Sequence, residues 1–436
     1  MQANDTAWYP SISGDGRYIA YYSHASNLVA NDTNGEPDVF VHDRQTGETI
    51  RVSVASDGTE ANDFSDFPRI SANGRYVAFG SYASNLVNGD TNGSIDAFVY
   101  DLATTKITRV SVASDGSEGN AGLATGVPTL SAEGRYVVFA SVASNLVEGD
   151  TNEYADIFVH DQENHETTRV SLRSDGGETN GASYRAVISG DGRYVAFSSE
   201  ASNLVEGDDN NFCDTNFDRV FTDNCADVFV HDRQTGITTL VSATADGSVG
   251  NHWSVGATIS ADGRFVAFYS VADDFFPGDQ NFLCDVNFNG VFDENCPDVF
   301  VWDRDTGSLR LASATLEGAF GNDMSWYPAL SADGHFLAFA SFATDLVEGD
   351  TNDTIDVFVL DMESGKMDLV SRAWDGAQSI IWGSQYPALS TTGRFVAFHS
   401  GASNLVQGDT NFEIDVFVRD LQPYLFYFPL ITKPSE

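Results

Sequence analysis

Apolar and polar residues alternate in short runs along the whole chain, and the runs recur in one order. The first set reads "YPSIS", "RYIAYYS", "DVFVHD" and "ETIRVSV", each rich in Val, Ile, Phe, Tyr and Thr. Runs of this length, composition and alternation are typical of β-strands with a buried face. Since no stretch shows the 3.6-residue period of a helix, the pattern predicts an all-β protein.

The set of four runs occurs seven times along the chain. Short turn sequences such as "GDG" join the first and second runs, and "DRQTG" joins the third and fourth, which predicts two tight antiparallel connections in each unit. The units are 58 to 60 residues apart, except that the fourth and fifth are longer by 13. Equivalent positions hold Arg17, Arg75, Arg135, Arg193, Arg264, His335 and Arg394.

Seven units of four antiparallel strands predict a seven-bladed β-propeller, which protects its sheet edges by radial repetition. A β-solenoid is the alternative, but the length of the unit and its two tight reversals favour the propeller. The apolar "YLFYFPLI" after Asp420 would supply the fourth strand of the seventh unit or else pair with the first blade, and the sequence leaves both open. The chain is then one domain, 1–436, with blades near 4–61, 62–119, 120–179, 180–250, 251–321, 322–379 and 380–432.

The repeated pattern "S.DGRYVAF.S.ASNLV.GDTN...DVFV.D..TG....VS" resembles the TolB-like (WD-like) propeller repeat, a relative of the propeller of prolyl oligopeptidases. The resemblance covers essentially the full chain and implies the propeller fold. Propellers of this kind serve as scaffolds, binding modules and enzyme appendages, so the resemblance implies no single function.

The chain carries 64 acidic and 22 basic residues, a formal net charge of -42. Binding to nucleic acid or to an anionic membrane surface needs the opposite charge, so neither is expected. No apolar segment is long enough for a membrane span. Cations are the expected partners of the excess carboxylates, and we expect a monomer.

In an antiparallel blade the two tight turns share one face of the propeller, here called the tight-turn face. The loop between the second and third strands and the link to the next blade share the other, here called the long-loop face. Because every long or variable loop lies there, binding is expected on that face.

The loop between the second and third strands carries a D-x-N-x-x-x-D motif in five blades. Oxygen ligands at alternate positions suit Ca²⁺, whereas Asx-turns that cap the following strand would explain the same residues without a metal. Both interpretations stay open here. The candidate ligands are Asp32, Asn34 and Asp38; Asp90, Asn92 and Asp96; Asp150, Asn152 and Asp156; Asp350, Asn352 and Asp356; and Asp409, Asn411 and Asp415.

Blades 4 and 5 contain inserts in this loop. The insert "DVNFNGVFD" resembles the calcium loops of integrin-type propeller blades and the first half of an EF-hand loop. The resemblance implies Ca²⁺ ligands at Asp285, Asn287, Asn289, Val291 (through its carbonyl) and Asp293. The blade 4 insert departs from the pattern, with Arg219 in place of the glycine. Its candidate ligands are Asp214, Asn216, Asp218, Val220 and Asp223.

All four cysteines bracket these inserts at identical spacing, Cys213 with Cys225 and Cys284 with Cys296. We expect two local disulfides that preorganise the loops, in a secreted, cell-surface or periplasmic protein. A zinc site is the competing use of cysteines, but each loop offers only two thiols and no nearby histidine pair.

Aromatic residues precede several first strands, where they would rim the central channel and stack on sugars or grip a peptide, or else pack between blades. These candidate rim residues are Trp8, Tyr184, Trp253, Trp326 and Trp382. No G-x-S-x-G, H-E-x-x-H or phosphate-loop motif appears. We expect a calcium-binding extracellular propeller that binds a protein or glycan through its long-loop face. The alternatives are a TolB-like periplasmic interaction scaffold, or a lyase or glycoside hydrolase with its active site at the channel mouth.

Overall fold

The computed structural model describes residues 2–124, 127–208, 210, 213, 224–279, 284, 295–380, 383–421 and 428–429. These residues form seven sheets, each with four strands in chain order. Neighbouring strands are antiparallel, and the described residues contain no helix. The prediction of an all-β propeller with seven four-stranded blades is confirmed.

The strands of blades 1 to 4 are β1 Ala7–Ile12, β2 Tyr18–Ser23, β3 Asp38–Asp43 and β4 Glu48–Arg51; β5 Ser65–Ile70, β6 Tyr76–Ser81, β7 Asp96–Asp101 and β8 Lys106–Arg109; β9 Thr129–Leu130, β10 Tyr136–Ser141, β11 Asp156–Asp161 and β12 Glu166–Arg169; β13 Ser183–Ile188, β14 Tyr194–Ser199, β15 Asp227–Asp232 and β16 Ile237–Leu240. Those of blades 5 to 7 are β17 Ser254–Ile259, β18 Phe265–Ser270, β19 Asp298–Asp303 and β20 Ser308–Leu311; β21 Ser325–Leu330, β22 Phe336–Ser341, β23 Asp356–Asp361 and β24 Met367–Leu369; β25 Ser384–Leu389, β26 Phe395–Ser400, β27 Asp415–Asp420 and β28 Phe428–Pro429.

The two central strands of each blade bury an aromatic pair. In blade 2 the rings of Phe79 and Phe98 lie across from each other on β6 and β7, with centroids 6.0 Å apart. Both side chains are fully buried. Cross-strand aromatic pairs of this kind stabilise a sheet by up to about 1 kcal/mol beyond the apolar area that they bury. The equivalent pairs are Tyr21–Phe40, Phe139–Phe158, Phe197–Phe229, Phe268–Phe300, Phe339–Phe358 and Phe398–Phe417.

The core lies between blades, since each sheet covers the next. One cluster joins Val39 and Val41 of blade 1 to Val77 and Phe79 of blade 2. The last and first blades pack in the same way, with Tyr21 and Phe40 against Val416 and Val418. Blade 7 takes all four strands from residues 384–429, so the ring closes by blade packing rather than by a shared strand.

The first strands of neighbouring blades contact one another, as β1 does with β5 and with β25, so these strands surround the central axis. Most of them contain a β-bulge. In β1 the register shifts between Trp8, which pairs with Tyr22, and Ser11, which pairs with Ala20. The same shift occurs in β5, β13, β17, β21 and β25.

An arginine clamps the two turns of the tight-turn face to each other. Arg17 donates to both carboxylate oxygens of Asp43, at 2.9 and 2.6 Å. The guanidinium lowers the pKa of that carboxyl to about 2. The same pair recurs as Arg75–Asp101, Arg135–Asp161, Arg193–Asp232, Arg264–Asp303 and Arg394–Asp420. Among the described residues no helix has the length and apolar character needed to cross a membrane.

Candidate binding face and central channel

The short loops of the long-loop face form Asx-type turns in blades 1, 2, 3 and 7. Asn34 Oδ1 accepts a hydrogen bond from the Glu36 amide at 3.0 Å, and Asn34 Nδ2 donates to Asp38 Oδ2 at 3.2 Å. Asn34 also donates to the Ala61 carbonyl of the link to blade 2. The asparagine therefore ties its own loop both to the start of β3 and to the neighbouring blade.

An arginine lies among the carboxylates of these loops in blades 1 to 3. In blade 3, Arg169 Nη1 is 3.1 Å from Asp150, 3.0 Å from Asp156 and 2.9 Å from Glu178. The Thr151 amide and hydroxyl, helped by Arg169, lower the pKa of Glu178 to about 2. Arg51 with Asp32, Asp38 and Glu60, and Arg109 with Asp90, Asp96 and Glu118, form the same cluster. A guanidinium thus already supplies positive charge where Ca²⁺ was predicted, and calcium in these loops stays a prediction.

Blades 6 and 7 differ at the arginine position, which holds Leu369 and Pro429. In blade 6 Gln378 takes the place of the glutamate and donates to Asp350 at 2.9 Å. Gln2 occupies the equivalent place in blade 7 and donates to Asp409 at 3.2 Å. Burial, followed by the charge of Asp409, raises the pKa of Asp415 to about 7.

Blades 4 and 5 have apolar residues at both positions of the cluster. Leu240 and Leu311 stand where blades 1 to 3 have the arginine, and Val249 and Phe320 where they have the glutamate. The carboxylates remain: Asp227 is fully buried and accepts hydrogen bonds from Asn210 at 2.8 Å and Ser242 at 2.7 Å. Burial, and then the charge of Asp208, raises the pKa of Asp227.

These two blades carry the inserts and both predicted disulfides. Cys213 is bonded to Cys225, and Cys284 to Cys296, each pair with Cα atoms 5.1 Å apart. His252 lies 3.8 Å from the Cys213 sulfur, but a disulfide sulfur is not the thiolate that zinc requires. All the predicted calcium ligands inside the inserts lie outside the described residues: Asp214, Asn216, Asp218, Val220, Asp223, Asp285, Asn287, Asn289, Val291 and Asp293.

Four of the predicted rim residues are described, and they are half-buried and pack mainly against neighbouring side chains. Trp8 meets the His399 ring edge-on at 4.8 Å, and Trp253 meets Tyr269 at 6.0 Å. Trp326 lies against Tyr327 and Phe342, while the Tyr184 hydroxyl is 3.3 Å from Glu200. Trp382 lies outside the described residues.

A second aromatic set, which the sequence interpretation missed, lies on four first strands directly after Trp8, Asp66, Trp326 and Gln385. Tyr327 stacks on Tyr386 at 4.1 Å, Tyr386 meets Tyr9 at 4.2 Å, and Tyr9 meets Phe67 at 4.8 Å. These four residues are called the aromatic arc. They belong to the first strands of blades 6, 7, 1 and 2, so the arc follows the channel wall near the long-loop face. The recurring Tyr-Pro or Phe-Pro at this position was the available sequence signal.

All four residues of the arc have left-handed backbone, with φ of 50° at Tyr9, 47° at Phe67, 52° at Tyr327 and 51° at Tyr386. Bulky residues rarely adopt this conformation, because it costs about 1–3 kcal/mol per residue. Residues that do adopt it cluster at functional sites. Blade 5 has Gly256 at the equivalent position, where the cost is absent. Four blades thus hold an aromatic ring at a position that favours glycine.

Charged and titratable groups lie beside the arc. Asp66 precedes Phe67, and burial raises its pKa to about 7. The Asp66 Oδ1 atom is buried without a hydrogen-bond partner. His399 is buried, which lowers its pKa to about 3, and its Nδ1 accepts from the Tyr9 amide at 3.4 Å. Arg69 follows on the same strand as Asp66, while Arg185 occupies the arc position of blade 4.

No protein-family model matches the chain, and neither does any curated protein sequence. Among solved structures, the oligogalacturonate lyase of Vibrio parahaemolyticus matches with a TM-score of 0.52 and 13% identity, covering 97% of this chain and 91% of the lyase. The β-propeller domain of the Trilobed protease of Pyrococcus furiosus, described as having an open velcro topology, matches with a TM-score of 0.54 and 11% identity, covering 99% and 100%.

TolB from Acinetobacter baumannii also matches, at 16% identity and a TM-score of 0.42. The match covers 82% of this chain and 64% of TolB, so the chain spans less than two thirds of that protein. At their low identities, the likenesses to the lyase and to the protease domain show the propeller fold alone.

Proposed function

We propose that this propeller is an extracytoplasmic binding module that holds a glycan against the aromatic arc, at the long-loop end of its channel. The observation that carries the proposal is the arc itself, four rings that each contact the next, on strained backbone. Flat apolar ring faces suit the faces of sugar rings. A bound ligand would be a reason for the protein to keep strained backbone at the arc position in four blades. The two disulfides support an oxidising compartment.

Glycan binding is tested by calorimetry on the whole chain, using oligosaccharides selected on a glycan array. Tyr386→Gly removes a central ring and relieves the left-handed backbone, so the variant should fold and lose binding by about tenfold or more. Tyr154→Ala is the matched control, since this exposed tyrosine lies on a loop of the same face outside the arc. Equal affinity of wild type and Tyr386→Gly would contradict the proposal, and a peptide-binding surface would then be the next hypothesis.

Calcium is the second part of the proposal and concerns blades 4 and 5. Two differences from blades 1 to 3 support it. Leu240 or Leu311 replaces the arginine of the carboxylate cluster, and the same blade carries an acidic insert closed by a disulfide. Oxygen-rich inserts and buried carboxylates such as Asp227 fit a hard cation. Ca²⁺ would then supply the positive charge that the guanidinium supplies in blades 1 to 3.

An enzyme is the second candidate function, because Asp66 directly precedes Phe67 of the aromatic arc and burial raises its pKa to about 7. A carboxyl of that pKa beside Tyr22 suits general acid–base chemistry on a bound glycan, as in a lyase or glycoside hydrolase. Incubation of oligosaccharides with wild type and Asp66→Asn, followed by mass spectrometry, distinguishes the functions. Cleavage by wild type alone supports the enzyme, and binding without cleavage supports the module.

A further inference from the structure

Two arginines lie along the channel without an acidic partner. Arg69 Nη1 donates to the Pro68 carbonyl at 3.1 Å, and Arg185 Nη1 donates to the Tyr269 hydroxyl at 2.8 Å. Neither side chain forms an ion pair with a carboxylate of a described residue. Leaving a partly desolvated guanidinium unpaired lowers stability, so a ligand is a reason to retain it.

Neither arginine is required by the repeat. The position of Arg69 holds small or β-branched residues in the other blades: Ser11, Thr129, Val187, Thr258, Ala329 and Ala388. The position of Arg185 holds a ring of the aromatic arc in four blades, Val127 in blade 3 and Gly256 in blade 5. Five blades therefore fold with a guanidinium at neither place, and blades 2 and 4 each introduce one at the channel.

Both guanidinium groups adjoin the aromatic arc. Arg69 is two residues after Phe67 on β5, whose neighbour in the arc is Tyr9 of blade 1. Arg185 contacts the Tyr269 hydroxyl, and the Tyr269 ring lies 5.9 Å from Tyr327. The arc therefore has one arginine near its Phe67 end and the other near its Tyr327 end. Arg69 is half-buried, whereas Arg185 is exposed, with Nη1 hydrogen-bonded to the Tyr269 hydroxyl.

We propose that the channel selects an acidic saccharide, whose sugar rings lie on the aromatic arc and whose carboxylates pair with Arg69 and Arg185. This inference rests on the proposed glycan-binding function. A guanidinium fork matches a carboxylate with two parallel hydrogen bonds, which neither a hydroxyl nor an ester reproduces. The net negative charge of the chain does not prevent this pairing, because charges more than about 8 Å away are screened at physiological salt.

The test compares a uronic acid hexamer with the same hexamer after methyl esterification, which removes the charge and keeps the sugar rings. Calorimetry on the full chain should give at least about tenfold tighter binding of the acid. Arg69→Gln and Arg185→Gln should each remove most of that difference while leaving the affinity for the ester unchanged. Arg173→Gln is the control, because this exposed arginine has the same charge and pairs with Asp175 outside the channel.

Melting curves of the three variants establish that each is folded before binding is measured. Equal binding of acid and ester by wild type would overturn the carboxylate inference and leave glycan binding intact. Loss of ester binding in Arg69→Gln and Arg185→Gln would also overturn it. The arginines would then be needed to position the sugar rings or the aromatic rings, and not to pair with carboxylates. If neither hexamer nor any glycan of the array bound to the protein, both the proposed function and this inference would be contradicted.

Discussion

Arg169 and Asp156 are joined by an ion pair of 3.0 Å that is almost sealed from solvent, with 8% and 0% of their side chains exposed. Asp156 also accepts a hydrogen bond from Ser171 at 2.5 Å, so the first residue of β11 is held from two sides. The same arrangement in blades 1 and 2 shows that this pair belongs to the long-loop face as a structural device. It fixes where the loop ends and the strand begins.

Removing that guanidinium should destabilise blade 3 strongly. We expect Arg169→Leu to lower the free energy of unfolding by about 3–5 kcal/mol, because it leaves Asp156 buried with two further acids nearby. Arg173→Leu, which breaks the exposed pair with Asp175, should cost less than about 1 kcal/mol. Chemical denaturation of both variants measures the difference. Equal midpoints would show that the cluster contributes little.

Calcium should stabilise the protein if the inserts bind it. We expect EDTA to lower the melting temperature and Ca²⁺ to restore it, with Mg²⁺ less effective because it demands tighter octahedral coordination. Asp285→Ala should weaken the strongest predicted site while the other blades remain folded, since repeat units contact mainly their neighbours. Asp375→Ala, in an exposed turn, is the control. An unchanged melting temperature at millimolar Ca²⁺ would contradict the calcium prediction.

The disulfides should matter for calcium affinity more than for the fold. Closing a loop between Cys284 and Cys296, with a sequence separation of 12, restricts the unfolded chain by about 3 kcal/mol in the entropic model. We expect the double variant Cys284→Ser, Cys296→Ser to bind Ca²⁺ more weakly in blade 5 and to keep its β-sheet circular dichroism. The corresponding variant at Cys213 and Cys225 reports blade 4 separately. Retention of full affinity would show that the loop needs no preorganisation.

Asp66 should make stability depend on pH. Burial raises its folded-state pKa to about 7 from an ordinary value of 3.8, so the folded protein keeps a proton that the unfolded chain releases. Below about pH 4 the carboxyl is protonated in both states and does not lower the free energy of unfolding. As pH rises from about 4 through 7, the free energy of unfolding falls, because only the unfolded chain readily releases the proton. Asp66→Asn should remove this loss and be more stable than wild type at pH 8 by about 2–4 kcal/mol. Melting curves at pH 4 and pH 8 test this, with Asp175→Asn as the exposed control.

The fold was predictable because its signals are local and repeated. Alternation within "RYVAF" and "DVFV", and turns such as "DGR", occur in unit after unit. A strand that is hard to recognise in one unit can therefore be assigned from its equivalents in the other units. The disulfides followed from spacing for the same reason. The arginine clusters were not predictable in this way, because Arg51 reaches Asp32 from β4 and Glu60 joins them from the link to the next blade. Their contact depends on tertiary packing.

The aromatic arc was missed for a different physical reason. Strict alternation along the first strand assigns the channel mouth to Trp8, Trp326 and their equivalents. The bulge after this position inserts an extra residue and turns the backbone to positive φ, so Tyr9 and Tyr327 lie along the channel instead. A one-residue change of register exchanges the two faces of a strand, and a bulge makes that change without a visible break in the sequence pattern.

The clamps of the tight-turn face have a consequence for protein engineering. Arg17–Asp43 and its counterparts in blades 2, 3, 4, 5 and 7 hold the turns of each blade by that blade's own residues. A loop of the long-loop face can therefore be exchanged without redesigning the turns of the tight-turn face. On this basis we expect that the blade 5 insert, residues 284–296, can be transplanted to blade 2.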